Sequence, residues 1–130
     1  GVLVGGFIVT GNSPKRVLVR GAGPGLGAYG VPGVLSDPEL TVYDANEQVV
    51  ARNDNWETPA PVKVGQRTAS AAEITAANAT VGAFSFATGG TDAALIITLR
   101  PGAYTVELSS AADAAVAAGN ALIEIYEIPE

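Results

Sequence analysis

The feature that most constrains this chain is period-two alternation in short runs closed by turn residues. Tyr104, Val106 and Leu108 alternate with Thr105, Glu107 and Ser109, and Leu95, Ile97 and Leu99 share one side of the run that ends at Pro101-Gly102. Successive side chains of a strand point to opposite faces, so this pattern describes strands with one face buried. The signal recurs in LTVYD (40–44) and QVVAR (48–52), which flank Ala45-Asn46-Glu47 and are predicted to form a hairpin. It recurs again in ALIEIYEI (121–128), where Ile123 and Ile125 oppose Glu124 and Tyr126. Val2 to Thr10 and Arg16 to Arg20 flank the turn Gly11-Asn12-Ser13-Pro14 and are expected to form a second hairpin. A weak strand is expected around Phe84 and Phe86, and the Ala-rich connection 110–119 carries no clear pattern. One segment differs. TASAAEITAANAT (68–80) is rich in alanine, and Ser70 and Glu73 have capping-box spacing, which predicts a short surface helix with Ile74 turned inward. Seven or eight strands with one short helical insertion imply an all-β fold: an antiparallel β-sandwich of jelly-roll or immunoglobulin-like kind, in one domain over residues 1–130.

One stretch competes with this reading. In RVLVRGAGPGLGAYG (16–30), a β-branched run enters glycines, and Gly23-Pro24-Gly25-Leu26-Gly27-Ala28 satisfies a loose GxGxxA. A dinucleotide fingerprint works because its glycines open a long crossover helix whose N-terminus holds phosphate. Here Tyr29-Gly30-Val31-Pro32-Gly33 follows, leaving room for one or two turns at most. Glycine costs about 1 kcal/mol and proline about 3 kcal/mol inside a helix, so no βαβ unit can form. The stretch is a glycine loop leaving a strand. Arg20, at its entrance, is expected to hydrogen-bond loop carbonyls near Gly23 and Gly25, which makes these three residues structural.

Composition narrows the chemistry. The net charge is -6, with seven Lys and Arg against thirteen Asp and Glu, so there is no basic surface to neutralise nucleic-acid phosphates. Lys15, Arg16 and Arg20 form the only local basic group. The chain has no Cys and no His, which removes the usual ligands of zinc, iron and copper and most nucleophile–base pairs. No carboxylate pair has a spacing that demands acid–base work, and the chain is expected not to be an enzyme. No apolar run approaches the roughly 18 residues of a membrane span.

Calcium is the better chemical hypothesis, because it takes six to eight oxygen ligands from loop Asp and Asn residues. Asn53-Asp54-Asn55 places three oxygen-bearing side chains in a row, Asp44 and Asn46 lie at the tip of the adjacent hairpin, and Asp92 begins a strand from elsewhere. The alternative is that these residues only cap turns, since Asx side chains bond their own backbone. Trp56, the single tryptophan, is a candidate for stacking on a sugar ring if exposed and a core plug if buried. Residues 2–9 are apolar on both faces except at Gly5-Gly6, as expected for a strand buried on both sides; the glycines suggest a bulge or a close backbone approach. Such a strand either pairs within its own domain or completes a neighbouring sheet by strand addition.

The ordered segments GGFIVTGNSPKRVLVRGAGPGL, GVPGVLSDPELTVYDANEQVVARNDNW, DAALIITLRPGAYTVELSS and ALIEIYEI resemble a β-sandwich domain, often in tandem, of large secreted or surface bacterial proteins. LTVYDANEQVVARNDNW followed by LRPGAYTVELSS is also distantly similar to the bacterial pre-peptidase C-terminal (PPC) domain. That resemblance implies a secreted accessory sandwich, calcium-stabilised in some members and able to bind a polymer, and supplies no catalytic residue. The resulting expectation is a non-catalytic extracellular or cell-surface building block that associates with itself, in tandem or in a filament. The alternative expectation is a calcium-dependent module for polysaccharide or another matrix polymer.

Overall fold

A computed structural model describes residues 2–59, 62, 66–111 and 118–129. The centre of the Ala-rich connection 110–119 therefore lies outside the described residues. Seven strands are present: β1 (Leu3–Val9), β2 (Lys15–Ala22), β3 (Pro38–Tyr43), β4 (Val49–Asn53), β5 (Ala93–Leu99), β6 (Gly102–Ser110) and β7 (Leu122–Glu127). They make two antiparallel sheets, a four-stranded one in the order β1-β6-β3-β4 and a three-stranded one in the order β5-β2-β7. The fold is an all-β sandwich.

Alternation explains the layering. Val17 and Val19 of β2, Leu95, Ile97 and Leu99 of β5, Leu40 and Val42 of β3, and Val106 and Leu108 of β6 fill the space between the sheets. The opposite face of the three-stranded sheet is also buried. Leu18, Ala22, Ala94 and Ile96 pack there with Ile74 and Ala77 of helix α1 (Ala71–Val81) and with Trp56 and Phe86 from loops. The molecule thus has three layers, and the three-stranded sheet is the middle one.

Helix α1 begins where the capping-box spacing predicts. Ser70 accepts the Glu73 amide through its hydroxyl, and Glu73 accepts the Ser70 amide in return. Ile74 is buried against the sheet. The glycine stretch forms a 3-10 helix, Pro24–Tyr29, that ends at Gly30 with φ 79°.

The β3–β4 hairpin is present, with a register shift between Val42 and Tyr43. The expected β1–β2 hairpin is not: β1 pairs with β6, and β2 pairs with β5 and β7. Every connection except β3–β4 crosses from one sheet to the other. Two apolar strands joined by a short turn can bury their faces against each other across a core as well as side by side. The strand expected around Phe84 and Phe86 is absent as well. Residues 83–87 are irregular, and the two rings anchor that loop by packing on each other 5.6 Å apart.

Candidate functional site

Arg20 organises the middle layer. It is fully buried on the helix-facing side of β2. Its Nε donates to Glu124 Oε1 at 3.1 Å, and its Nη1 donates to Asn78 Oδ1 at 2.9 Å and to the Phe84 carbonyl. The guanidinium plane lies between two rings, 4.4 Å from the centre of Phe84 and 4.0 Å from that of Phe86. A flat, weakly hydrated guanidinium tolerates such a slot better than an ammonium would. Burial pulls the Arg20 pKa below its ordinary value, against the opposing pull of Glu124. Arg20 therefore ties together β2, β7, α1 and the Phe84 loop. The expected bonds to loop carbonyls near Gly23 and Gly25 are not among its bonds, because Arg20 Nε and Nη1 are taken by Glu124, Asn78 and the Phe84 carbonyl.

The glycine loop is held by Asp92 instead. Its Oδ1 accepts the Gly23 amide at 2.7 Å and the Gly25 amide at 3.0 Å, and its Oδ2 accepts the Gly25 amide at 3.1 Å. Asp92 is buried, so these amides replace its lost water. Gly23 is required by close approach: a Cβ there would fall 2.2 Å from the Leu35 carbonyl oxygen.

The six residues expected to hold calcium do not form one site. Asp44 and Asn46 lie at the tip of the β3–β4 hairpin, where Asp44 Oδ1 accepts the amides of Asn46 and Gln48. Asn53, Asp54 and Asn55 lie at the other end of β4, roughly 13 Å along the strand. Asn53 is consumed by structure: its amide nitrogen donates to the carbonyls of Asn55 and Thr58, and its oxygen accepts the Ala94 amide at 3.1 Å. Asp92 is consumed by the loop. Only Asp54 Oδ1 and Asn55 Oδ1 are buried oxygens of this set with no hydrogen-bond partner among the described residues. No group of three or more Asp or Glu side chains converges among the described residues. Strand β4 separates the two groups, and backbone amides take Asp44, Asn53 and Asp92.

Trp56 is not offered to a ligand. It is buried, its indole N–H donates to the Ala87 carbonyl at 3.3 Å, and its ring meets Phe86 at 6.4 Å. It packs on the helix-facing side of the three-stranded sheet, with Leu18 and Ile96.

The surface feature that stands out is an edge. Of the four edge strands, β5 is capped by side chains. Gln66 donates to the Thr98 carbonyl at 2.8 Å and accepts the Thr98 amide at 3.1 Å, while Asn53 accepts the Ala94 amide. Ala94 and Thr98 are four residues apart, so both present their backbone groups to the same free edge. Strand β4 is short and carries Arg52, and β7 carries Glu124 and Glu127. Strand β1 has no charge and no proline, and among the described residues no side chain bonds its backbone. It is not buried on both sides as its composition suggested. Val2 is 58%, Val4 58% and Ile8 71% exposed. Gly5-Gly6 marks no bulge, since the β1–β6 register runs unbroken from Leu3↔Leu108 to Val9↔Gly102. Sequence reasoning missed Gln66 and Glu124. Glu124 alternates with core isoleucines on β7 and so had a visible signal, whereas Gln66 had none.

No helix among the described residues is long and apolar enough to cross a membrane. Compared with protein-family models, with curated proteins and with solved structures, the chain matches none.

Proposed function

We propose that this domain is a non-catalytic structural building block that associates with other copies of itself through the open edge of β1, outside the cell or at a bacterial surface. The observation that carries this reading is the contrast among edges. Soluble sandwiches blunt their edge strands with charges, prolines, bulges or covering groups. Three of the edges here have such devices, and among the described residues β1 has none. The buried polar groups Arg20, Asn53 and Asp92 are spent on internal bonds, which supports a scaffolding role over a reactive one. The sequence resemblance to tandem domains of secreted bacterial proteins supports the location.

Light scattering on the purified chain tests the reading. A mass above one chain that falls when Ile8→Lys is introduced is expected. A single-chain mass at every concentration overturns it.

A second reading, a cation-dependent module, is favoured by the two buried unpartnered oxygens at Asp54 and Asn55. Repeating the measurement and a thermal melt in calcium and then in EDTA tests it. Loss of mass or of melting temperature in EDTA supports it, and identical curves remove it.

A further inference from the structure

Glycine inside a strand weakens it, and three intramolecular reasons for accepting that cost fail at Gly5 and Gly6. Neither has a positive φ. Neither lies at a register shift. Neither is crowded: a Cβ on Gly5 would come no closer than 3.8 Å to Ile123, and one on Gly6 no closer than 3.8 Å to the Tyr104 carbonyl oxygen. A first side-chain carbon would sit in ordinary contact with Ile123 at Gly5 and with the Tyr104 carbonyl at Gly6, so neither position demands glycine, yet both glycines stand in the middle of an edge strand that is uncharged and uncapped among the described residues.

We propose that β1 pairs antiparallel with β1 of a second copy about a twofold axis through Gly6, with Phe7 of each chain covering Gly5 of the other. This rests on the assembly reading above and specifies its partner and geometry. The register follows from the strand itself. Overlap of all seven residues of Leu3–Val9 places Leu3 opposite Val9, Val4 opposite Ile8, Gly5 opposite Phe7 and Gly6 opposite itself. A seven-residue strand paired this way keeps inner residues against inner ones and outer against outer, whereas a one-residue slip would set inner positions against outer ones. On the inner face the bulky ring meets the bare glycine, an arrangement known to stabilise strand glycines. On the outer face Val4 and Ile8, both exposed in the single chain, cover one another. The complementarity is within one strand, so the partner that fits is another copy. No charge enters the contact, although each chain carries a net -6. The nearest carboxylate on the same face of β6, Glu107, is engaged by the Tyr43 hydroxyl at 3.1 Å. Two four-stranded sheets would merge into one continuous sheet, and because the contact is isologous it closes at two chains.

Sedimentation velocity over a concentration series, with circular dichroism melts on every variant, tests this. Wild type is expected at a two-chain mass. Val4→Lys is expected to weaken association at least about tenfold, since each lysine faces an isoleucine and lies near its own symmetry mate's strand. The double variant Val4→Lys/Ile8→Glu places opposite charges across the twofold and is expected to restore association to within about threefold. Gly5→Val, once its melt shows that it folds, is expected to weaken association at least about tenfold, because it crowds the space beside Ile123 that Phe7 of the other copy needs. A two-chain mass indifferent to Val4→Lys and Gly5→Val overturns the proposal. So does a folded double variant that stays apart. A larger mass that Val4→Lys abolishes and the double variant does not restore keeps β1 as an assembly edge and removes the twofold. A single-chain mass throughout removes both.

Discussion

The two sheets of this sandwich are finished to different degrees. The three-stranded sheet is covered on both faces and sealed at β5 by side chains that satisfy its free backbone groups. The four-stranded sheet has one face in the core, one face in solvent, and at β1 an edge that no described residue caps. The difference shows where this chain invests its polar side chains. Arg20, Asn53, Asn78 and Asp92 are all buried, and all bond around the middle layer. A substitution in that layer should therefore damage stability, and one in β1 should alter association with little or no loss of stability.

The largest expected effect is at Arg20. Arg20→Met strips Asn78 Oδ1 and the Phe84 carbonyl of their Arg20 donor and leaves the Glu124 carboxylate only the Tyr126 hydroxyl, with no cation beside it, and is expected to cost about 3–5 kcal/mol in urea unfolding. A cost near zero would mean that the middle layer does not depend on its polar centre. Asn53→Ala removes three hydrogen bonds at the β4–β5 seam and leaves the Ala94 amide buried; about 2–3 kcal/mol is expected by the same measurement. Gln66→Ala uncaps β5 at Thr98, at an expected cost of about 1 kcal/mol. Its sharper reading is mass: if capping is what keeps β5 from pairing, the variant should gain a second association mode that Val4→Lys does not abolish. Gly6→Thr has the opposite sign. With a Cβ in ordinary contact with the Tyr104 carbonyl and no clash, it should stabilise the single chain by up to about 1 kcal/mol, and destabilisation would show that β1 is constrained in some other way.

The smallest effect is at the helix. The Arg67 guanidinium and the Ser70 amide hold the Glu73 carboxyl at a pKa of about 2, below its ordinary value of 4.5. A depressed carboxyl adds stability that is fully present above the ordinary value and is lost as pH falls from 4.5 toward about 2. Acid melts of Arg67→Ala should show a shallower fall than wild type across that window. Equal slopes would separate the ion pair from helix stability.

Much of the fold was legible because its signals are local. Alternation marked six of the seven strands and an unbroken apolar run marked β1, Asn46 and its neighbours marked the one true hairpin, and Ser70 with Glu73 marked the helix start. Phe84 and Phe86 misled because apolar residues two apart read equally as a strand or as a loop pinned by rings. The oxygen-bearing residues read two ways in sequence because Asp and Asn bond amides as readily as they take cations, and here Asp44, Asn53 and Asp92 bond amides.

By itself the sequence determined the all-β class, the faces of its alternating strands and the place of its helix, since each depends on residues within a few positions of one another. Only the tertiary structure decided that β1 and β2 part into different sheets, that Arg20 finds Glu124 rather than its own loop, and that β1 stands uncapped while Gln66 seals β5. Those outcomes depend on which distant segments meet, and backbone groups at an edge are the same in every residue until another part of the chain either covers them or does not.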